Sequence, residues 1–382
     1  MSDTILAQRM AMMQESATLA LNARAKQLTA EGRTIYNFTA GELASDTPEY
    51  IQRAVSRILK RNKYTPVAGM NDLRQIIAAE SRSFYGLKWI TPENVVVSGG
   101  AKPALYATFL ALINPGDEVI LPVPAWVSYV HLIELAGGIA VPVPLSDNFD
   151  IDAAAIKAKL SKRTKAIVVN SPHNPTGAIF SKTALKELAA VIHGTGIIVI
   201  ADDIYSKLVY DDGFTPVPTV GFEHVLIING FSKSQALTGW RIGYAIASLQ
   251  IARAITQLLS HITGNAAVPS QEAAIAAMAR HDRPPAETLA DLSSKRQAVA
   301  AALRDIEGIR YQLPGGSFYF FIDVRQLTKD SADWCERLLN EAGVALVPGE
   351  AFLAPGYARL TFSVDQATLD QGLAALTRFI KK

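Results

Sequence analysis

The hydrophobic positions of the chain change period along its length. Over residues 16–31 they recur at helical spacing (Leu19, Leu21, Ala25, Leu28) and stop at Gly32, which reads as a C-cap. A short strand is expected over 34–39, running into Gly41. Ser45-Asp46-Thr47-Pro48 reads as an N-cap with proline in the first turn, opening a helix over 49–60, and a second amphipathic helix covers 70–85. Between these helices lies a polar loop, 62–66, that carries Tyr64.

From residue 91 the repeating unit becomes strand, turn, helix. Apolar runs without alternation at 95–97, 118–121, 165–170, 197–201 and 225–228 suit parallel strands covered on both faces. Helical stretches at 103–112 and 182–193 intervene, so the expected class is α/β, a mainly parallel sheet flanked by helices. After a helical stretch at 273–280 the pattern shifts again. A long helix over 287–306 and helices at 332–342 and 365–379 alternate with strands at 318–324, 345–347 and 358–363, a smaller α+β lobe.

Composition narrows the function. At 382 residues the chain has room for two domains with ample core. Its 49% apolar and 19% charged content excludes a disordered chain, and a formal net charge of +2 gives no electrostatic reason to expect nucleic acid or an anionic membrane. Asp3, Arg9 and Glu15 interrupt any signal-peptide core around the apolar patch at 10–13, and no stretch approaches the roughly 18 apolar residues of a membrane span. One cysteine, Cys335, leaves no disulfide framework, and six histidines without HxxxH or HxH spacing give no metal site. The expectation is a cytoplasmic protein acting on small molecules.

The ends of the expected strands carry the candidate chemistry. Lys233 follows the run 225–228 within GFSKSQALTGWRIGY (230–244), and Arg241 stands eight residues later. Ligands of open α/β sheets bind at strand carboxyl ends. A lysine there is a reactive amine, able to form Schiff bases with carbonyls once desolvation or a nearby cation lowers its pKa, and Arg241 offers a planar fork for a phosphate. Ser98-Gly99-Gly100 feeds a strand into a helix, which makes Gly100, Ala101 and Lys102 a candidate anion cradle. Trp126 (PVPAW), Asn174 (SPHNPTG), and Asp202 with Tyr205 (ADDIY) follow the other strands. Singly, each has a structural explanation: a core tryptophan, a turn asparagine, a capping aspartate, a solvated lysine. Together they suit a planar, phosphorylated cofactor that bears a carbonyl.

KYTPVAGMNDLR, SGGAKPAL, PAWVSY, VVNSPHNPTGA, ADDIY, SKSQALTGWRIGY and YARLTFS occur in this order between residues 41 and 363. On these motifs the chain resembles the pyridoxal-phosphate-dependent class I aminotransferases of fold type I, in the bacterial aspartate aminotransferase-like subgroup. The resemblance implies that Lys233 carries the cofactor covalently and shuttles a proton, and that Asp202 pairs with the ring nitrogen. It further implies that Tyr205 and Asn174 hydrogen-bond the phenolic oxygen, that Trp126 stacks on the ring, and that Gly100, Ala101, Lys102, Ser232 and Arg241 hold the phosphate. Arg359 would clamp the substrate α-carboxylate, helped by Asn174 and the backbone at Gly41, beside Trp126. Tyr64 would reach the phosphate of a neighbouring subunit, implying a homodimer with shared sites. The implied domains are an N-terminal segment of the small domain (1–45), a large cofactor-binding domain (46–280) and a C-terminal small domain (281–382).

Three positions depart from the family pattern: GELASDTP where relatives often read GEPDFDTP, Gly230 in place of a serine, and Asp203 in place of a glutamate. The implied reaction moves an amino group from an L-amino acid, aspartate or glutamate with aromatic ones tolerated, to a 2-oxo acid such as 2-oxoglutarate. A β-lyase or another carbon–carbon or carbon–sulfur enzyme on the same scaffold would instead release pyruvate without a keto-acid acceptor. A non-catalytic ligand sensor is disfavoured because no basic helix-turn-helix segment precedes residue 16. Spacing reveals no second arginine for a distal carboxylate. Tyr106, Thr108 and Phe109 follow the phosphate turn, and Thr18 and the polar groups of 260–265 are the candidates near the entrance, so loose side-chain specificity is expected.

Overall fold

Apolar runs flanked by glycine and proline turns become strands, and the amphipathic stretches between them become the helices that cover those strands. The computed structural model of the protein describes residues 5–11, 13, 15–61, 63–211, 213–280 and 286–381. Asp3, Met12 and Asn62, and the expected domain start at 281, lie outside the described residues. The chain opens with α1 (Ala17–Ala30), β1 (Tyr36–Asn37), α2 (Glu49–Ser56) and α3 (Asn71–Tyr85). It continues with β2 (Val95–Ser98), α4 (Ala101–Leu112), β3 (Glu118–Val123), α5 (Ser128–Leu135) and β4 (Ile139–Pro144). Next come α6 (Ala153–Lys159), β5 (Thr164–Asn170), α7 (Lys182–Ile192), β6 (Ile198–Asp202), β7 (Val225–Gly230) and β8 (Gly243–Ile246). Then follow α8 (Leu249–Ile262), α9 (Val268–Met278), α10 (Ala286–Arg304), β9 (Arg310–Tyr311) and β10 (Tyr319–Asp323). The chain closes with α11 (Ser331–Ala342), β11 (Val344–Ala345), β12 (Val347–Pro348), β13 (Tyr357–Thr361) and α12 (Gln366–Ile380).

The seven-stranded sheet has the order β2-β8-β7-β6-β5-β3-β4. Only β8 runs against its neighbours, and the other pairings are parallel. Successive side chains on a strand face opposite ways, so the apolar runs split between two layers. Leu121, Val168, Ile200 and Leu226 pack with Phe109 of α4, Ile133 of α5 and Ile255 of α8. On the other face Ile120, Ile167 and Val199 pack with Ile156 of α6 and Leu185 of α7, while Val97 and Ile227 meet Ile51 of α2 and Ile77 of α3. Burial on both faces is the reason these strands read as unbroken apolar runs.

A four-stranded antiparallel sheet, β12-β13-β10-β9, and a parallel β1-β11 pair lie over a separate core that includes Phe38, Leu303, Phe320, Trp334, Leu360 and Leu376. Residues from near both ends of the chain therefore share one core.

Several expected elements are corrected. Ser45, Asp46 and Thr47 do not cap α2: Pro48 occupies the cap position without a side-chain bond, and Thr47 instead accepts from Trp240 Nε1 at 2.8 Å. That helix ends at Ser56, and 57–60 form a turn. The expected strand 345–347 is two strands in different sheets, β11 pairing with β1 and β12 with β13 on either side of buried Leu346. Two strands of the large sheet were not expected. β4 is an edge strand carrying Pro142 and Pro144, which an edge tolerates, and β8 is a four-residue strand inside the motif around Arg241. Among the described residues no helix is long and apolar enough to cross a membrane.

Candidate active site

Because β3, β5, β6 and β7 run parallel, their carboxyl ends open on one edge of the sheet. Register sets Asp202, the last residue of β6, beside Asn170 of β5 and Ile228 of β7. The Asn170 amide donates to the Asp202 carbonyl at 2.8 Å and accepts from the Asn174 N–H at 2.9 Å, so one buried side chain ties two strand ends together. These ends line a pocket of about 310 Å³.

Asp202 is buried, and its carboxylate accepts from Tyr129 Oη at 2.6 Å and from the Ile204 N–H at 3.3 Å. Burial pushes its carboxyl up to about 6, against the opposing pull of those bonds and of Lys233. The neighbouring Asp203 is fully buried and pushed by burial up to about 8, so of the adjacent pair Asp202 is the one that ionises near neutrality.

Lys233 follows β7, and its Nζ donates to the Gly41 carbonyl. Burial brings its pKa down to about 8; Glu42 opposes the shift, while Arg359 and Arg241 add to it. An amine of this kind is largely protonated at neutrality yet holds an accessible neutral fraction, as a nucleophile or base requires.

The turn between β2 and α4 carries Gly100 at φ +115°, in the region that favours glycine. A Cβ there would lie 2.7 Å from Arg241 Nη2, so the guanidinium rests on bare backbone at the start of α4. Arg241 also donates to the Thr238 carbonyl at 2.9 Å. A Cβ on Gly243 would meet Ala101 N at 2.5 Å, and one on Gly230 would lie 3.1 Å from Gly243 Cα. The Gly230–Gly243 pair thus lets β8 press the turn into place. Ala101, Lys102, Ser232, Thr238 and Arg241 line the pocket at this end.

Arg359 of β13 forms the opposite wall. It is 2% exposed, with Nη1 donating to Asn174 Oδ1 at 3.0 Å and Nη2 to the Thr39 carbonyl at 2.8 Å. Its guanidinium lies 4.4 Å from the centre of the Tyr319 ring and 5.0 Å from that of Phe352. These hydrogen-bond partners are neutral, Nε has none, and burial lowers the pKa. A cation held in this way is suited to an incoming anion.

Trp126 lines the pocket after β3, edge-on to Tyr129 with ring centres 5.2 Å apart, and Lys102 Nζ lies 4.9 Å from the centre of the Trp126 ring. Tyr205 is buried in the turn after β6, its hydroxyl 2.9 Å from that of Tyr319. All the expected site residues gather around this pocket except Tyr64, which is 98% exposed within the single chain; Gly100 sits behind Arg241 rather than on the surface of the pocket. Thr18 lines the pocket from α1 together with Ser16, Leu19 and Asn22, whereas 260–265 and the side chains of Tyr106, Thr108 and Phe109 do not. Tyr129, Tyr319 and Asn170 were not anticipated. Tyr129 could have been found from its place three residues after Trp126; Tyr319 sits in an aromatic run that reads as core.

The residues present fit pyridoxal phosphate. They offer a desolvated amine for its aldehyde, a buried carboxylate for its protonated ring nitrogen, and an arginine with backbone N–H groups at a helix start for its phosphate. Without that cation, Asp202 is a destabilising buried charge. Its folded pKa lies above the unfolded value, so the stability linked to its proton is present below about pH 4 and lost as pH rises through about 6. Asp202→Asn removes this loss. Urea unfolding of the ligand-free protein should find the variant more stable than wild type by on the order of 1–3 kcal/mol at pH 8, with the difference vanishing near pH 4; equal stability at pH 8 contradicts this account.

The family model for aminotransferase class I and II matches residues 33–376. The chain is 39% identical over 371 residues to an aspartate aminotransferase of Thermotoga maritima, covering 96% of each chain. It is 36% identical over 395 residues to an asparagine–oxo-acid transaminase of Streptococcus mutans, covering 99% of this chain and 100% of that one. A solved structure of the Thermus thermophilus aspartate aminotransferase with maleate aligns with a TM-score of 0.94 at 36% identity, over 98% of this chain and 99% of the other. The chain therefore belongs to the aminotransferase class I and II family and is a pyridoxal-phosphate-dependent transaminase.

Proposed function

We propose that the pocket transfers the amino group of aspartate or glutamate to 2-oxo acids such as 2-oxoglutarate, both half-reactions sharing one site. The observation that carries this reading is the convergence of a desolvated lysine, a buried carboxylate and a buried guanidinium in one pocket. When bound, the cofactor supplies an aldehyde that takes up the substrate amine and a ring that accommodates the electron pair left at Cα.

The chain's own groups do the rest. Lys233 would hold the cofactor covalently through Nζ, and as a free amine the same Nζ would take the proton from the substrate Cα, for which a pKa near 8 suits it. Asp202 keeps the ring nitrogen protonated, and Tyr129 keeps Asp202 oriented. Asn174 has its Oδ1 taken by Arg359, which leaves Nδ2 as the donor that, with Tyr205, would reach the phenolic oxygen. Trp126 covers the ring. Ser232, Arg241 and the N–H groups of Ala101 and Lys102 would bind the phosphate, whereas the N–H of Gly100 is already given to the Ser98 carbonyl at 2.8 Å. Arg359 takes the substrate α-carboxylate in its planar fork beside the Gly41 backbone. Borohydride reduction of the holoenzyme followed by peptide mapping tests this directly: the pyridoxyl group is expected on Lys233, and Lys233→Ala should lose the covalent link and nearly all turnover. Label on another lysine overturns the assignment.

A second cation for a dicarboxylic substrate comes from Lys102. Its backbone N–H belongs to the phosphate turn, while its ammonium, over Trp126, lines the pocket and has its pKa lowered by partial desolvation and by Arg241. The relatives named for aspartate and the one with maleate act on or hold dicarboxylates, which supports the same class here. A single flexible ammonium contributes roughly 1.5–3 kcal/mol as a charge-assisted hydrogen bond, a preference of about 10- to 150-fold. In a panel of amino donors at fixed 2-oxoglutarate, aspartate and glutamate should exceed phenylalanine by about that factor in kcat/KM. Lys102→Met should abolish most of the preference. A preference beyond about ten-thousandfold, or one untouched by Lys102→Met, requires a different charge partner.

We also infer a homodimer. Tyr64 lies in a polar loop, almost wholly exposed in the single chain, and a second copy that presents its cofactor phosphate there gives the phenol a function. Light scattering should find a species of about twice 41.1 kDa; an active monomer ends this reading. The division into 1–45 with 281–382 against 46–280 is supported by the β1-β11 pair and by Phe38 packing with residues of the C-terminal region. One buried cysteine, Cys335, is consistent with a cytoplasmic setting.

A further inference from the structure

Tyr319 stands outside the residues singled out by sequence, yet it touches three of them. It is 1% exposed, on β10. Its hydroxyl lies 2.9 Å from Tyr205 Oη, its ring lies under the Arg359 guanidinium at 4.4 Å, and a Cβ on Gly41 would approach its hydroxyl to 2.9 Å. Tyr205 follows β6 of the seven-stranded sheet, whereas Arg359 is on β13, the neighbour of β10 in the four-stranded sheet. One phenol therefore spans two sheets and joins the group assigned to the cofactor with the group assigned to the substrate.

Proton counting gives the bond a direction. Each phenol has one hydrogen to donate and can accept others. If Tyr205 donates to the phenolic oxygen of the cofactor, the hydrogen in the Tyr205–Tyr319 bond must come from Tyr319. A hydroxyl that accepts one bond while donating another is polarised into a stronger donor. The same ring fixes the plane of a guanidinium whose Nε has no hydrogen-bond partner.

We propose that Tyr319 is a positioning residue that sets the donor strength of Tyr205 toward the cofactor oxygen through its hydroxyl, and the plane of Arg359 toward the substrate carboxylate through its ring. The proposal rests on the assignments of Tyr205 and Arg359 made above. The ionisable groups facing the phenol pair are Asp202 from β6, Arg359 from β13, and Lys233 and Glu42 across the pocket.

The test uses the holoenzyme and reads the pH midpoint of the cofactor's visible absorbance. A donor to the phenolic oxygen favours the deprotonated form, so a weaker donor raises the midpoint. Tyr319→Phe should raise it by about 0.3–1 pH unit, the scale of one neutral hydrogen bond. Tyr205→Phe should raise it further, and the double variant should match Tyr205→Phe, because Tyr319 acts only through Tyr205. 3-Fluorotyrosine placed at position 319, a better donor of the same shape, should lower the midpoint, and it keeps the test open should the phenylalanine variant fail to fold. For the ring, the Kd of maleate should stay within about twofold in Tyr319→Phe and weaken at least about fivefold in Tyr319→Leu. An unchanged midpoint in Tyr319→Phe, an additive double variant, a fluorotyrosine shift that is upward or absent, or wild-type maleate affinity in Tyr319→Leu overturns the proposal. An unmoved midpoint in Tyr205→Phe removes the Tyr205 assignment itself, and the proposal with it.

Discussion

Asp202 and Arg359 are buried and Lys233 is half-buried around a single pocket, and a buried ion without compensation costs several kcal/mol. The protein meets this demand mostly with neutral groups: Tyr129 for Asp202, the Gly41 carbonyl for Lys233, and Asn174 with the Thr39 carbonyl for Arg359. Neutral partners orient the ions without consuming their charge. What remains is a site with an open demand for a cation at Asp202 and for anions at Arg359 and Arg241, and a substrate bound to a charged cofactor meets it from both sides.

That arrangement depends on parallel strands ending together, and so on helices covering both faces of the sheet. The two layers of apolar contacts are what fix the register that sets Asp202 beside Asn170. Close backbone approach at Gly230 and Gly243 then lets β8 reach the phosphate turn, where a pair of Cβ atoms would force it away. The antiparallel strand is therefore part of the site rather than an interruption of the pattern. It brings Arg241, at its entry, against Gly100.

How much of this was legible in the sequence follows the same physics. Strands buried on both faces read as unbroken apolar runs, so β2, β3, β5, β6 and β7 were expected close to their observed bounds. Edge strand β4 was hidden by its two prolines, and β8 by its shortness and by the glycines its packing requires. α8 carries a helical repeat in plain form, Ala252, Ile255 and Leu259, and still lay outside the expected elements. Lys233 and Asp202 announced themselves by following expected strands, and Arg241 by standing eight residues after Lys233. Nothing in its spacing marks Arg359, which entered through family resemblance alone, and Tyr319 lies in the run Phe318 to Phe321, whose other members are core. Bonds between sheets, such as Tyr205 with Tyr319, join residues 114 positions apart and leave no periodic trace.

The two cations proposed to face substrate differ in a way that bears on its range. Arg359 is held by two hydrogen bonds and two aromatic rings, so its fork is preorganised and presents one geometry to the carboxylate that every amino acid carries. Lys102 sits at the start of α4 on a flexible stem, largely exposed, with an aromatic face beneath its ammonium. When a second carboxylate is present the ammonium can meet it, and when an apolar side chain is present it can stay over Trp126 without becoming an unpaired buried charge. A rigid group for the constant end of the substrate and a mobile one for the variable end allow one pocket to receive two different partners in alternation, as transamination requires.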